Sequence, residues 1–322
     1  MMNRVIRVIS NDPPLLRVED EDIGAPGPGE VLVHMLLMPV HPADILQMRG
    51  QYGDHPDLPY VPGFEGVGRV AEVGEGVSRL KVGDIVLPNL RGTWRDAAVV
   101  PERGLIVLPR EVDLAQAAMF KASPASALVM LTKMVDLPKG AEVLFNAANS
   151  AVGQNLIRMA RELGLRSVAQ VRSQAAADQI ADLAPDMILI GDEAPPRPLT
   201  APLALDAIGG EATAAMARLL PDGATIVTYG LLSGEAPRID ALDLVFRDIR
   251  LRGFWLAREF KTMPAKDIQQ VFATLGDYLS RGLIHSRVGR IIPFDMVDQL
   301  IALHDSPREG KLLLATRHYS AD

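Results

Sequence analysis

The stretch Val143-Leu144-Phe145-Asn146-Ala147-Ala148-Asn149-Ser150-Ala151-Val152-Gly153 decides the fold. An apolar run of strand length breaks on a cluster of small residues, and the amphipathic segment Val152 to Leu163 follows and stops at Gly164. A strand that turns tightly into a helix aims backbone N–H groups and the positive end of the helix dipole at one point, which suits a pyrophosphate. Only Gly153 is a glycine where a dinucleotide fingerprint has three, so the turn taken alone is also compatible with a plain strand–helix connection. Downstream, Ser167 to Val171, Gln174 to Leu183, Met187 to Ile190, Leu203 to Ile208, Glu211 to Leu220, Ala224 to Tyr229 and Leu251 to Leu256 continue the alternation of strand and helix. Regular alternation of this kind predicts an α/β unit, a doubly wound parallel sheet with helices on both faces. Its second strand ends at Arg172, where the adenosine ribose of a dinucleotide would lie. An acid there suits NAD, whereas Arg172, with Ser173 and Gln174 beside it, suits a 2′-phosphate. A solvated arginine at a strand end has the same appearance.

Toward the N-terminus the texture is different. From Arg4 to about Pro109, short apolar runs such as Val31 to Val40 and Glu65 to Val73 are cut by Gly and Pro clusters, the pattern of a β-rich domain. One short helix is expected over Ala43 to Arg49, and the first ten residues read as a strand. After about Met263 a helix, Ala265 to Arg281, leads to strands around Ile291 to Phe294 and Leu312 to Thr316. The division expected is therefore a β-rich domain of residues 1–120 and 263–322, interrupted by a nucleotide-binding domain of residues 121–262. At 322 residues and 48% hydrophobic content, two domains are the starting assumption in any case.

Composition narrows the function classes. With 33 Lys and Arg against 40 Asp and Glu the net charge is −7, and no basic stripe is present to follow a phosphate backbone, so nucleic acid is not an expected partner. No apolar run approaches membrane-spanning length, and a cytoplasmic location is expected. The chain has no cysteine, which removes thiolate nucleophiles, disulfides and every cysteine-based zinc site. The six histidines have no HExxH-like spacing; His41 and Asp44 are three apart, but His41 precedes a proline and reads as structural, so no metal is expected. Phenols and alcohols remain as candidate acids. Tyr52, in Arg49-Gly50-Gln51-Tyr52-Gly53, sits in a glycine-flanked loop of the kind that carries catalytic groups, although an aromatic in such a loop more often packs than reacts.

The whole arrangement resembles the medium-chain dehydrogenase/reductase superfamily, in which a GroES-like β domain is split by a Rossmann domain. Gly63-Phe64-Glu65-Gly66-Val67-Gly68 is similar to that superfamily's Gly-His-Glu segment, with Phe64 in place of the zinc-binding histidine. Within the zinc-free branches the likeness is to the 2-enoyl thioester reductases of mitochondrial type. It is carried by Pro42-Ala43-Asp44-Ile45, Gly50-Gln51-Tyr52-Gly53, Gly92-Thr93-Trp94-Arg95, Asn146-Ala147-Ala148-Asn149-Ser150 with Val152-Gly153-Gln154, and Arg252-Gly253-Phe254-Trp255-Leu256.

The resemblance implies an NADPH-dependent reductase that adds hydride to the β-carbon of an α,β-unsaturated carbonyl, with a trans-2-enoyl thioester of CoA or acyl-carrier protein as substrate. It implies Tyr52 as the catalytic phenol, with Trp94 lining the same cleft. It assigns NADPH contacts to Asn149, Ser150, Ala151, Val152, Gly153 and Gln154 at the pyrophosphate, to Arg172, Ser173 and Gln174 at the 2′-phosphate, and to Tyr229, Gly230, Phe254, Trp255, Leu256 and Lys311. Two departures stand out: Ser123-Pro124 where the family has Asn-Pro near the nicotinamide, and Ala151 where it has glycine. Competing readings are a quinone oxidoreductase, which needs no dedicated phenol, and a non-catalytic NADPH-binding protein. The run Leu251 to Leu256 reads as an apolar edge strand, and the resemblance implies a homodimer formed by pairing it across a twofold axis; the alternative is that the helix Ala265 to Arg281 covers it.

Overall fold

A computed structural model describes residues 2–12, 15–306 and 310–320; Met1, the first residue of the expected N-terminal strand, lies outside them. The described chain separates into two compact units, one running up to Ala122 and resuming at Ser286, the other spanning Ser123–His285.

The first unit opens with β1 (Met2–Val8) and β2 (Leu16–Asp22), an antiparallel pair. Then follow β3 (Glu30–Val40), α1 (Pro42–Met48), β4 (Val67–Val73), β5 (Ile85–Pro88), β6 (Ala97–Pro101), β7 (Leu105–Leu108) and α2 (Leu114–Ala118). Strand β3 is the spine: it is apolar along nearly its whole length, and Val31, Val33, Met35, Met38 and Val40 are buried. It pairs antiparallel with both β4 and β6. Backbone bonds from Ile6 to Trp94 (3.0 Å) and from Val8 to Tyr60 (2.8 Å) lay β1 over the loops that follow β3.

The second unit carries α3 (Ala122–Lys133) after its first residue, and then β8 (Glu142–Phe145), α4 (Ala151–Glu162), β9 (Arg166–Val171), α5 (Gln174–Asp178), β10 (Met187–Ile190), β11 (Leu203–Asp206), α6 (Glu211–Leu219), β12 (Thr225–Thr228), α7 (Ala241–Phe246), β13 (Arg250–Gly253), α8 (Leu256–Thr262) and α9 (Ala265–Ser280). Among the described residues its strands form one sheet in the order β10-β9-β8-β11-β12-β13, every neighbour parallel. This is the doubly wound Rossmann order: the chain works outward from β8 in one direction, then crosses back to β11 and works outward in the other. Leu144, Val168, Ala204 and Ile226 from four of the strands pack with Met216 and Ala217 of α6.

Two expectations are corrected here. Residues Phe254 to Leu256 are not strand: Phe254 donates its N–H to Thr228 (2.8 Å) as the last tie to the sheet, and the chain then turns into α8 at Leu256. The return to the first unit falls at Ser286 rather than 263, because α9 is tied into the second unit. Lys133 pairs with Asp267 (3.2 Å), Arg281 with Glu162 (2.7 Å), and Arg158 donates to the His285 carbonyl (3.0 Å). All four residues of β13 are exposed, so α9 does not cover that edge.

The chain ends in β14 (Val288–Pro293), α10 (Leu300–Asp305) and β15 (Lys311–Ala315), which complete the first unit. Its large sheet then runs β14-β15-β3-β4-β5-β7, with β15 antiparallel to the second half of β3.

Candidate active site

In the second unit the turn after β8 is tight for identifiable reasons. Ala147 takes a left-handed conformation at φ 47°, and Ser150 caps α4 by accepting the Gly153 N–H at 3.1 Å. A Cβ on Gly153 would lie 2.5 to 2.6 Å from the backbone of Ala148, so only glycine lets α4 begin this close to β8. Gly153 thus does the work of the glycine that brings helix and strand together in a dinucleotide fingerprint. Asn149 is fixed from both sides: its amide donates to Gln179 (3.0 Å) and its carbonyl accepts from Gln154 (3.0 Å). The first-turn N–H groups of Ala151 and Val152 have no intrahelical acceptor.

Every strand of this sheet is parallel, so the residues after β8, β9, β12 and β13 share its carboxyl edge. Arg172 is exposed at the end of β9. Ser173 caps α5 and Gln174 bonds Asp178 at 2.8 Å. Tyr229 and Gly230 follow β12; the Tyr229 hydroxyl is buried toward Asp206 and Ser150, and burial raises its pKa. Phe254 is buried, while Trp255 and Leu256 open α8 and are partly exposed. Ser123 is buried in the first turn of α3. Pattern reading missed what braces the crossover between β8 and β11. Asn146 donates to Asp206 (2.7 Å) and accepts the Ala207 N–H (2.7 Å), and Asp206 also takes Ile208, Gly209 and the Thr213 hydroxyl. The only sequence signal was an acid at the end of an apolar strand.

In the first unit, Tyr52 follows α1 in a loop tied back to that helix: Gly50 N–H bonds Gln47 O (3.0 Å) and Gln51 N–H bonds Leu46 O (2.8 Å). Its ring meets that of Phe64 at 5.4 Å, tilted by 53°. The Arg91 guanidinium, 4.9 Å from the same Phe64 ring and paired with Asp54 at 2.9 Å, packs there too. Phe64 stands on a rigid turn: Gly63 has φ +107°, and a Cβ there would strike Thr93 and Trp94.

Beneath this turn lies a buried polar cluster. His41 Nε2 donates to Glu65 (2.6 Å), while His41 Nδ1 accepts from the Lys311 ammonium (3.0 Å). Burial, reinforced by Lys311, lowers the His41 pKa, so the imidazole is neutral and its tautomer is set by these two partners. Burial pushes Glu65 upward, but the His41 bond, Lys121 and the Ala122 N–H outweigh it and hold the carboxyl below its usual range. Its other oxygen accepts the N–H groups of Lys121 (2.6 Å) and Ala122 (2.9 Å).

Two further residues assigned by resemblance have partners within the first unit. Trp94 is completely buried in the core of the first unit, packed against Gly63, and supports the turn. Lys311, assigned to the cofactor by resemblance, has its ammonium engaged by His41.

Residues 27–110 match the alcohol dehydrogenase GroES-like domain. The enoyl-acyl-carrier-protein reductase, mitochondrial, of Caenorhabditis elegans is 35% identical over 285 residues, covering 85% of this chain and 83% of that protein. The chain belongs to the enoyl-acyl-carrier-protein reductase family. Relatives in this family are named as mitochondrial proteins, which overturns the cytoplasmic location expected from the sequence. Among solved structures, a protein from Bacillus thuringiensis described as an NADPH:quinone reductase superposes with a TM-score of 0.88 at 26% identity, over 98% of this chain and 99% of that one. Etr1p, a 2-enoyl thioester reductase of Candida tropicalis, in complex with NADP and crotonyl-CoA, matches this family member in fold with a TM-score of 0.87 at 24% identity, over 98% of this chain and 100% of that one.

Proposed function

We propose that this chain is an NADPH-dependent enoyl thioester reductase in which Tyr52 supplies the proton. The observation that carries the reading is the placement of the Tyr52 phenol against Phe64, the residue standing where zinc-using relatives have a metal-binding histidine. The second unit fits the cofactor. The open N–H groups of Ala151 and Val152, with Ser150 and Gly153, suit the pyrophosphate, and Arg172, exposed at the end of β9, suits the 2′-phosphate. The extra methyl of Ala151 lies at the first helical position and leaves its N–H in place. Tyr229, Gly230 and Phe254 to Leu256, with Ser123, are the residues proposed beside the nicotinamide.

Bound NADPH supplies the hydride. The chain's own task is to hold the thioester and polarise its carbonyl while negative charge develops at the enolate, and then to return a proton to the α-carbon from the Tyr52 hydroxyl. The carrier proposed is CoA or acyl-carrier protein. The likeness to the Bacillus thuringiensis structure favours quinone reduction as a second reading, in which no phenol is required.

One experiment separates them. NADPH oxidation is followed with crotonyl-CoA and with benzoquinone, using NADH as parallel donor, for wild type and Tyr52→Phe. The expected result is NADPH-selective thioester turnover that falls about 10²- to 10⁴-fold in Tyr52→Phe with NADPH affinity unchanged. Turnover of quinone alone, or a fully active Tyr52→Phe, would overturn the proposal.

A further inference from the structure

Asp44 is completely buried in the first turn of α1. One carboxylate oxygen accepts the His41 N–H at 2.7 Å, while the Asp44 N–H bonds the His41 carbonyl at 3.0 Å, so the head of the helix is closed on itself. Helix α1 is only seven residues long, and the loop bearing Tyr52 hangs from its last turn by the two backbone bonds of Gly50 and Gln51. The same carboxylate draws on a second support, for the Gly63 N–H is near enough to stabilise its charged form. Gly63 precedes Phe64, whose ring meets that of Tyr52. A single buried side chain therefore bears on both segments that hold the phenol, on α1 by direct hydrogen bonds and on the Gly63–Phe64 turn through the charge that the Gly63 N–H favours.

We infer that Asp44 is a positioning residue for Tyr52, locking the head of α1 and the Gly63–Phe64 turn so that the phenol keeps one orientation. This rests on the reading of Tyr52 as proton donor. The charge of Asp44 bears on how firmly it holds. Burial raises its pKa to about 7; Glu65 adds to the rise, and the His41 and Gly63 N–H groups and Lys311 oppose it. Tyr60, from the loop before β4, also feels its charge, and Lys121 acts on the neighbouring Glu65 and His41. An ionised Asp44 accepts the His41 N–H more strongly than a protonated one and is also favoured by the nearby Gly63 N–H.

The test uses the full chain carrying Asp44→Asn or Asp44→Ala. Asparagine keeps an acceptor for the His41 N–H and loses the charge; alanine loses both. Two readouts are taken: hydrogen exchange of peptides covering 45–55 without substrate, and kcat and KM for crotonyl-CoA between pH 5.5 and 8.5 with saturating NADPH. Expected are faster exchange over 49–53 in Asp44→Ala with the β8–β13 peptides unchanged, and a kcat loss on the order of 10- to 100-fold, the scale of a misplaced catalytic group. NADPH affinity stays the same, Asp44→Asn recovers part of the rate, and the inflection in kcat near neutral pH is present in wild type and absent in Asp44→Asn. Wild-type exchange over 49–53 in Asp44→Ala overturns the positioning role, whatever the reaction proves to be. Altered exchange with thioester kcat unaffected would show instead that the loop is held by Asp44 but that Tyr52 is not the group turnover depends on, which overturns the inference through the reading beneath it.

Discussion

A carboxyl buried with its protonation balanced near neutrality couples folding to pH in a direction opposite to that of an ordinary ion-paired acid. Asp44 is raised from 3.8 to about 7, so between those values the native state holds a proton that the unfolded chain has released. Its contribution is fully present below the unfolded value and is lost as pH rises through the folded one. Glu65, held low, behaves the other way: its contribution is present above its unfolded value and fades as pH falls below it. Asp44→Asn should therefore raise the melting temperature relative to wild type by more at pH 8 than at pH 5, as read by differential scanning calorimetry. An equal difference at both values would mean that Asp44 does not titrate in this window. None of this could be read in the sequence. His41 was recognised as structural from the proline after it, but periodicity reports apolar faces and says nothing of which charges are taken inside. The Lys311 bond to His41 was not legible for the same reason: the two lie 270 positions apart in the chain.

At the scale of elements, the junction of β8 with α4 was legible because an apolar run, small residues and an amphipathic segment all agree there. Its one glycine is enough because the other positions are served differently, by Ala147 in a left-handed conformation and by the Ser150 cap. Gly153→Ala should abolish NADPH binding and lower stability, since the added Cβ meets the Ala148 backbone, which cannot move aside without breaking the Ala148 N–H bond to Gln170 (3.1 Å). Fluorescence titration with NADPH and a thermal melt check both effects; a variant that binds normally would contradict the close-approach argument. The stretch Leu251 to Leu256 was legible only in its first half. A short apolar run cannot tell strand from helix by itself, and the chain changes state at Phe254 because its side chain goes inward while Arg258 and Lys261 face solvent from the helix that follows.

For the whole molecule, the exposed edge at β13 is the feature that calls for a partner. All four of its residues are exposed, Leu251 at 40% being the one large apolar side chain, and an open strand edge presents unpaired backbone groups that tend to be paired or covered. A homodimer paired along β13 is proposed on that basis. Leu251→Asp should shift the protein toward monomer by size-exclusion chromatography with multi-angle light scattering, with the Rossmann fold retained by circular dichroism. A monomeric wild type would remove the proposal. The two-unit organisation and the parallel sheet were both anticipated from the change in texture near Glu142, and the far boundary was missed because the ion pairs that tie α9 into the second unit leave no mark in hydropathy.

The insertion of the second unit between β7 and β14 also sets an order on biosynthesis. The parallel sheet has all its strands once residue 253 has left the ribosome, but the second half of β3, residues 37–40, must wait for β15 near the end of the chain before its backbone finds the neighbour it pairs with. During translation the interrupted unit is thus the last to close, and a chain that stops before residue 311 would carry a finished nucleotide fold beside an open sheet.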